Sequence, residues 1–115
     1  MQRCGMGRTS AVWTRQELQE RHAASGRPYE EVLRVESLSA GIYKLAAGAA
    51  DPQSPHAEDE VYVLLAGTGA VEIDGKREPV STGSLVYVSK GVRHRFVDIT
   101  EDLEVVVIFA PPENG

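Results

Sequence analysis

The sequence lacks the features that mark disulfide-bonded, membrane-spanning and secreted proteins. It has one cysteine, Cys4, so it can form neither an internal disulfide nor a zinc site built on several thiolates. No uncharged apolar run approaches the roughly 18 residues of a membrane-spanning helix. The first ten residues also lack the apolar stretch of a signal peptide. We therefore expect a cytoplasmic protein without a membrane partner.

Positive charge is also scarce in this chain. Twelve Lys and Arg residues face seventeen Asp and Glu residues, which gives a formal net charge of -5. This acidic balance, without any basic block, disfavours nucleic acid as a partner. The 42% hydrophobic and 25% charged residues are typical of an ordinary globular protein, and 115 residues suit one domain.

The sequence predicts one short helix near its N-terminus. Residues 1–13 are expected to form a flexible tail. Thr14 and Glu17 have the spacing of a capping box, which predicts a helix over about 15–24. A Gly-Arg-Pro segment follows and ends it. We expect residues 14–115 to form a single domain.

Beyond this helix, short apolar stretches alternate with turn residues and predict about eight strands. Val32–Leu38 alternates apolar and polar residues, whereas Glu60–Ala66 is almost continuously apolar, as in a strand covered on both faces. Ala70–Ile73 leads into Asp74-Gly75, a strong hairpin signal. The predicted fold class is all-β, an antiparallel sandwich or small barrel after one helix.

The three histidines are the first indication of chemistry. His22 lies among polar residues of the predicted helix and is expected to be a surface residue. His56 and His94 each lie where a turn meets a strand, and Glu60 follows His56 by four residues. A single histidine at such a place is more often structural than a ligand. Two histidines and a carboxylate together, however, suit non-haem iron with open coordination positions, and also Zn, Mn or Ni.

The segment 48–67 places possible ligands at fixed distances from two glycines. Gly48 is followed after five residues by Ser54, and then by His56, Glu60 and Gly67. This spacing resembles the first motif of the cupin family, G-x5-H-x-H-x3-E-x6-G. The departure is Ser54, which stands where the family has its first histidine.

The segment 83–98 has a similar organisation. Gly83 is followed after five residues by Ser89, and then by Gly91, His94 and Asp98. It resembles the second cupin motif, G-x5-P-x-G-x2-H-x3-N, with serine in place of proline and aspartate in place of asparagine. Fifteen residues separate the two motifs, as in small single-domain bacterial cupins.

The resemblance implies a jelly-roll-like antiparallel β-barrel of two sheets, of the kind that commonly forms homodimers. Carried over residue by residue, it implies a divalent metal ion (Fe, Zn, Mn or Ni) held by His56, Glu60 and His94. The serine at the first histidine position leaves the fourth ligand open. Gln53, Glu58 and water are the alternatives for it.

The alternation of side chains along a strand predicts what surrounds this site. If Glu60 points inward, so does Tyr62; if His94 points inward, so do Phe96 and Asp98. Tyr62 and Phe96 are therefore expected to line an apolar pocket for a small molecule, although each could equally be plain core.

Three kinds of function remain open at this point. The first is a metal-dependent enzyme with dioxygenase-like or isomerase-like chemistry on a small polar organic molecule. The second is a barrel that binds or senses a small molecule without turnover. The third is a structural role in a dimer, which is compatible with either of the others.

Overall fold

The computed structural model describes residues 10–52 and 55–114, so Gln53, Ser54 and most of the predicted N-terminal tail lie outside the described residues. Its elements are α1 (Arg15–Ser25), β1 (Tyr29–Arg34), β2 (Ser39–Leu45), β3 (Asp59–Ile73), β4 (Lys76–Ser81), β5 (Leu85–Val88) and β6 (His94–Ala110). In the described part of the chain, no helix is long and apolar enough to cross a membrane.

Helix α1 forms as its capping residues predict. The Thr14 side chain accepts from the Glu17 backbone N–H, and the Glu17 carboxylate accepts from the Thr14 N–H. These two bonds satisfy backbone donors that the first helical turn leaves unpaired. Gly26, with φ of 68°, ends the helix in the left-handed conformation that glycine adopts without strain.

The strands form an antiparallel arrangement in which two long strands take part in both halves of the fold. The order is β1-β2-β6-β3-β4, with β5 pairing the first half of β3. The first half of β3 pairs with the end of β6, and its second half pairs with the beginning of β6. Each long strand therefore passes from one half of the fold to the other, which confirms the predicted all-β, jelly-roll-like architecture.

The number of strands differs from the prediction of about eight. Glu60–Ala66 and Ala70–Ile73 are parts of β3. The apolar stretches His94–Ile99 and Leu103–Phe109, each predicted as a separate strand, are likewise parts of β6. Register shifts between Leu64 and Ala70 let β3 bend without ending. In the sequence, the apolar–polar alternation of such a bulged strand looks the same as that of two short strands. The first strand is also displaced, since β1 ends at Arg34 and not at Leu38.

The inner face of both halves packs into one hydrophobic cluster. Tyr62, Leu64 and Phe109 come from the half that contains β1, β2 and β5, and Val71 and Phe96 come from the half that contains β4. All five are at most 3% exposed. Burial of an aliphatic or aromatic side chain of this kind contributes about 1.5–3 kcal/mol, so this cluster supplies most of the stabilisation.

The opposite face of the sheet is covered by α1 over β1, β2 and the neighbouring part of β6 around Glu104. Ile42 lies fully buried there, outside the main core cluster. Glu104, on the same side of β6, accepts hydrogen bonds from Arg15 and Gln19 of the helix. The helix is thus fixed to the sheet through a buried carboxylate, because its own residues include none that is buried.

Candidate metal centre

Three side chains from both motifs meet inside the fold. Each of His56, Glu60 and His94 offers a ligand atom, and these atoms lie within 4.8 Å of one another. Nε2 of His94 lies 3.1 Å from Oε1 of Glu60, and Nε2 of His56 lies 3.6 Å from the same oxygen. Two imidazole nitrogens therefore face one carboxylate from separate parts of the chain.

The other nitrogen of each ring faces an acceptor. Nδ1 of His94 lies 2.9 Å from the Val92 carbonyl oxygen, which can only accept, so this nitrogen carries the proton of a neutral ring. Nδ1 of His56 lies 3.6 Å from a carboxylate oxygen of Glu113. Acceptors at Nδ1 are what commonly orient the Nε2 lone pair of metal-binding histidines.

The contact between His94 and Glu60 requires a proton or a metal cation between its two atoms. With Nδ1 protonated, Nε2 of a neutral ring and Oε1 of an ionised Glu60 would both be acceptors at 3.1 Å. Burial by itself lowers the pKa of His94, but the hydrogen bond to Glu60, the Val92 carbonyl and the charge of Glu60 outweigh it and raise that pKa. Without a metal, a proton fills this position, and a cation can replace it.

Glu60 is also incompletely paired. Its side chain is 1% exposed, and its Oε2 has no hydrogen-bond partner. A buried ionised oxygen without a partner costs free energy, so such atoms are rare in folded proteins. The donor set of two imidazoles and a carboxylate, together with this oxygen, fits a borderline divalent cation.

Backbone hydrogen bonds tie the two motifs together near the site. The Gly91 N–H donates to the His56 carbonyl at 2.7 Å, and the Lys90 N–H donates to the Asp59 carboxylate at 2.9 Å. Gly91 has φ of 77°, which explains why glycine suits this turn. These bonds set the distance between the loop that carries His56 and the strand that begins with His94.

Asp51 is a positioning residue that sequence reasoning missed. It is 6% exposed, and its two carboxylate oxygens accept from the Tyr43 hydroxyl at 2.7 Å and from the Phe96 N–H at 2.8 Å. The loop before His56 is thereby fixed to β2 and to β6. An Asp-Pro pair in a predicted loop gave no signal of this burial.

A cavity of about 210 Å³ lies beside the three side chains. Its apolar wall consists of aromatic rings, Val107 and Pro52, and its polar groups include His56, Glu60 and Glu113. It is smaller than the ~300 Å³ at which drug-sized ligand pockets begin, so it suits a small molecule. A larger groove of about 760 Å³ lies outside His94, and its Arg95 is already paired with Glu72.

The remaining predicted site residues have varied surroundings. Tyr62 lines the cavity, and Phe96 packs behind it with ring centroids 5.0 Å apart. Glu58 is buried and accepts from the Asn114 N–H. Gln53, the alternative fourth ligand, lies outside the described residues.

The expectation that Asp98 points inward with His94 is wrong. The Asp98 side chain is 60% exposed and pairs with Arg77 at 2.6 Å. Its φ of 50° interrupts the extended backbone, so the alternation of side chains counted from His94 no longer holds at this residue.

The fold and the cluster define a class of protein: a small antiparallel β-protein with two histidines and a glutamate gathered in its interior. Comparison with known proteins identifies the family. The family model described as "Cupin domain" matches residues 41–110, and the chain therefore belongs to the cupin family. An uncharacterized protein of Streptomyces coelicolor is 45% identical over 98 residues, which cover 85% of this chain and 93% of the relative.

Solved structures show the same fold. The structure of KdgF from a Halomonas species has a TM-score of 0.66 at 24% identity and covers 72% of this chain and 76% of its own. An RmlC-like cupin protein from Desulfovibrio desulfuricans has a TM-score of 0.66 at 25% identity, over 73% and 81% of the two chains. These similarities support the fold and leave the activity to be argued from the site.

Proposed function

We propose that this cupin binds one divalent metal ion through Nε2 of His56, the carboxylate of Glu60 and Nε2 of His94, and that it binds or converts a small polar organic molecule in the adjoining cavity. The observation that carries the proposal is the contact of His94 with Glu60. With Nδ1 of His94 directed at the Val92 carbonyl, Nε2 and the Glu60 oxygen 3.1 Å away are positioned to share a proton or a metal cation.

The three residues would have distinct roles. Glu60 supplies the negative charge, and its buried Oε2 gains a partner when the cation binds. His94 is held by the Val92 carbonyl and is almost fully buried, so it forms the rigid side of the site. His56 has a side chain 23% exposed and lies toward solvent, on the side from which a ligand would enter.

A bound metal would supply either polarisation of a substrate oxygen or, for iron, reaction with dioxygen. Three protein ligands leave coordination positions for a substrate, which is why dioxygenase-like and isomerase-like reactions are both compatible with the site. The chain itself contributes orientation and exclusion of water, since Tyr62, Val107 and Phe109 form an apolar wall beside Glu60.

The test is metal binding by protein purified without a metal-binding tag. We expect one equivalent of Zn²⁺, Mn²⁺, Fe²⁺ or Ni²⁺ by metal analysis and calorimetry. His94→Ala and His56→Ala should each lose that equivalent. His22→Gln is the matched control, because His22 is a helix residue that contacts the Pro28 carbonyl, away from the site. Stoichiometric binding that survives both alanine variants would overturn the assignment.

Oxygen consumption and ligand binding then separate the chemistries. Uptake of dioxygen by the Fe²⁺-loaded protein with a bound substrate would indicate an oxygenase. Conversion with Zn²⁺ or Mn²⁺ but no oxygen uptake would indicate an isomerase, and binding without conversion would indicate a sensing role. A cytoplasmic location, with a small molecule and not nucleic acid or a membrane as the ligand, completes the proposal.

The same proposal includes a homodimer. Apolar residues of β5, β3 and β6 stand opposite one another on the outer side of the sheet, beyond the part that α1 covers. We call this group the outer apolar face: Val61, Val63, Leu85, Tyr87, Val106 and Ile108. Leu85 is 72% exposed and Tyr87 is 61% exposed, and exposed apolar patches commonly mark interfaces.

Sedimentation measures the oligomeric state directly. We expect a dimer for the wild-type protein and a monomer for Leu85→Glu, with metal binding retained. Val12→Glu is the control, because Val12 is equally exposed but lies outside this face. A wild-type monomer would overturn the dimer and leave the metal site unaffected.

A further inference from the structure

Two buried polar atoms lack a hydrogen-bond partner in the described part of the chain, and both belong to side chains that line the same cavity. One is Oε2 of Glu60, which the proposed cation explains. The other is the hydroxyl oxygen of Tyr29, which no ligand atom of the metal site explains. Because buried hydroxyl groups nearly always have a partner, this one needs an atom that the described chain does not supply.

Tyr29 is held in a defined position. Its ring packs edge-on against Phe109, with ring centroids 6.0 Å apart. Its hydroxyl end lies against Gly41 of β2, where any larger residue would collide with it. The ring is therefore fixed by packing in the wall of the cavity, and its buried hydroxyl has no partner in the described part of the chain.

The hydroxyl acts as a donor and not as an anion. Burial, followed by the charges of Glu113, Glu31 and Glu60, raises the pKa of Tyr29 well above its ordinary value. A protonated phenol offers its hydrogen to an acceptor, such as a carbonyl, ether or hydroxyl oxygen. Because a phenol is a stronger hydrogen-bond donor than acceptor, the ligand atom that suits it best is an acceptor.

The charges around the cavity disfavour an anionic ligand. Its described lining contains Glu60 and Glu113 but neither lysine nor arginine. The two carboxylates would balance the charge of one divalent ion, so the occupied site would offer no net positive charge to a ligand.

We propose that Tyr29 forms a second polar subsite in the cavity beside the metal centre, and that this subsite selects small uncharged molecules bearing an oxygen acceptor over carboxylate or phosphate anions. This inference rests on the proposed function, because the other end of the ligand is taken to meet the metal centre. It adds the substrate class and a binding residue that neither motif contains.

Isobutyramide and isobutyrate have the same shape and both carry an oxygen acceptor, but only isobutyrate is charged. They therefore test whether the subsite selects an uncharged ligand. Each is titrated into Zn²⁺-loaded, ¹⁵N-labelled protein, and binding is followed by amide chemical shifts. We expect isobutyramide to bind more tightly than isobutyrate. Tyr29→Phe should weaken isobutyramide by about fivefold, the usual effect of one lost hydrogen bond. Tyr87→Phe, on the outer apolar face, should leave its affinity unchanged.

Two further variants probe the physical basis. Glu113→Gln should strengthen isobutyrate binding severalfold, because it removes one negative charge from the cavity. Tyr29→Phe should leave the melting temperature of the metal-free protein unchanged or higher, since the hydroxyl that it removes has no partner. A clear fall in that temperature would show that the folded chain already satisfies the hydroxyl, and would overturn the subsite.

The outcomes distinguish this inference from the proposed function. Failure of the wild-type protein to take up Zn²⁺ would overturn the metal site itself. Normal Zn²⁺ uptake, combined with no isobutyramide binding, equal binding by Tyr29→Phe, or tighter binding of isobutyrate, would overturn the subsite alone.

Discussion

Glu60 and Glu104 are both buried glutamates on neighbouring strands, yet their surroundings differ in kind. Glu104 faces α1 and accepts from Arg15 at 2.8 Å and from Gln19 at 3.0 Å, with Lys44 at 3.8 Å. Glu60 faces the interior, where two imidazoles approach one oxygen and the other oxygen has no partner.

The difference shows what a buried carboxylate does in each place. The charge of Glu104 is balanced by side chains of the folded chain, so it serves to hold the helix. The charge of Glu60 is balanced only by groups that can release a proton, so it can accept an external cation. Incomplete pairing of a buried charge is thus the structural indication of function here.

Replacing the two glutamates by glutamine should give the largest contrast in metal binding. We expect Glu60→Gln to weaken Zn²⁺ binding by at least about 100-fold, because it removes a charged metal ligand. Loss of a residue that only hydrogen-bonds a ligand already weakens metal binding by about 10–100-fold. Glu104→Gln should bind Zn²⁺ as the wild type does. Competition with a chromophoric chelator measures both affinities, and equal weakening by the two variants would remove the distinction.

In the stability of the metal-free protein, we expect replacement of Glu104 to have a larger effect than replacement of Glu60. Glu104→Ala should lower the free energy of unfolding by about 2 kcal/mol, because it removes charge-assisted hydrogen bonds between the helix and the sheet. Glu60→Gln should destabilise the metal-free fold less than this, because a glutamine amide can donate to Nε2 of a neutral His94 and the variant removes the charge from an oxygen that has no partner. Urea denaturation with chelator present measures both. A large loss of stability in Glu60→Gln would show that its charge is already compensated.

The ionisation of Glu104 should make the free energy of unfolding depend on pH in the acid range. Burial opposes its ionisation, but the hydrogen bonds from Gln19 and Arg15 and the charges of Arg15 and Lys44 outweigh burial and lower its pKa. A lowered folded-state pKa contributes stability above the unfolded value, 4.5, and this contribution is lost as pH falls through the folded value. The gap between wild type and Glu104→Gln should therefore be constant near neutrality and shrink below that value. Denaturation curves across this range measure it, and a gap that widens in acid would contradict the assignment.

The smallest effect is expected at the helix end of this contact. The Arg15 side chain is 53% exposed, so Arg15→Ala should cost only about 0.5 kcal/mol, and less at high salt. Amide hydrogen exchange in α1 should be slightly faster in this variant than in the wild-type protein. A loss as large as that of Glu104→Ala would show that Arg15 alone carries the contact.

Local sequence signals predicted the parts of the fold that depend on local physics. The capping box located the beginning of α1, and Asp74-Gly75 located the turn between β3 and β4. Both residues of that turn have positive φ, which aspartate and glycine tolerate better than most residues. The number of strands could not be predicted in this way, because the bends of β3 depend on how it pairs with β6.

The candidate site was only partly accessible from the sequence. Motif spacing selected His56, Glu60 and His94, and the structure brings them together. Asp51, Tyr29 and Glu113 could not be identified, since they occupy no defined position of either motif and approach the site from a loop, from β1 and from the chain after β6.

The order of residues determined by itself which side chains could serve as ligands and roughly where strands and turns fall, because turn geometry and side-chain alternation are local properties. Only the tertiary structure decided that Glu104 is paired with side chains of the helix and that Glu60 keeps one oxygen without a partner. The free energy of a buried charge depends on every group that surrounds it, and those groups come from elements far apart along the chain.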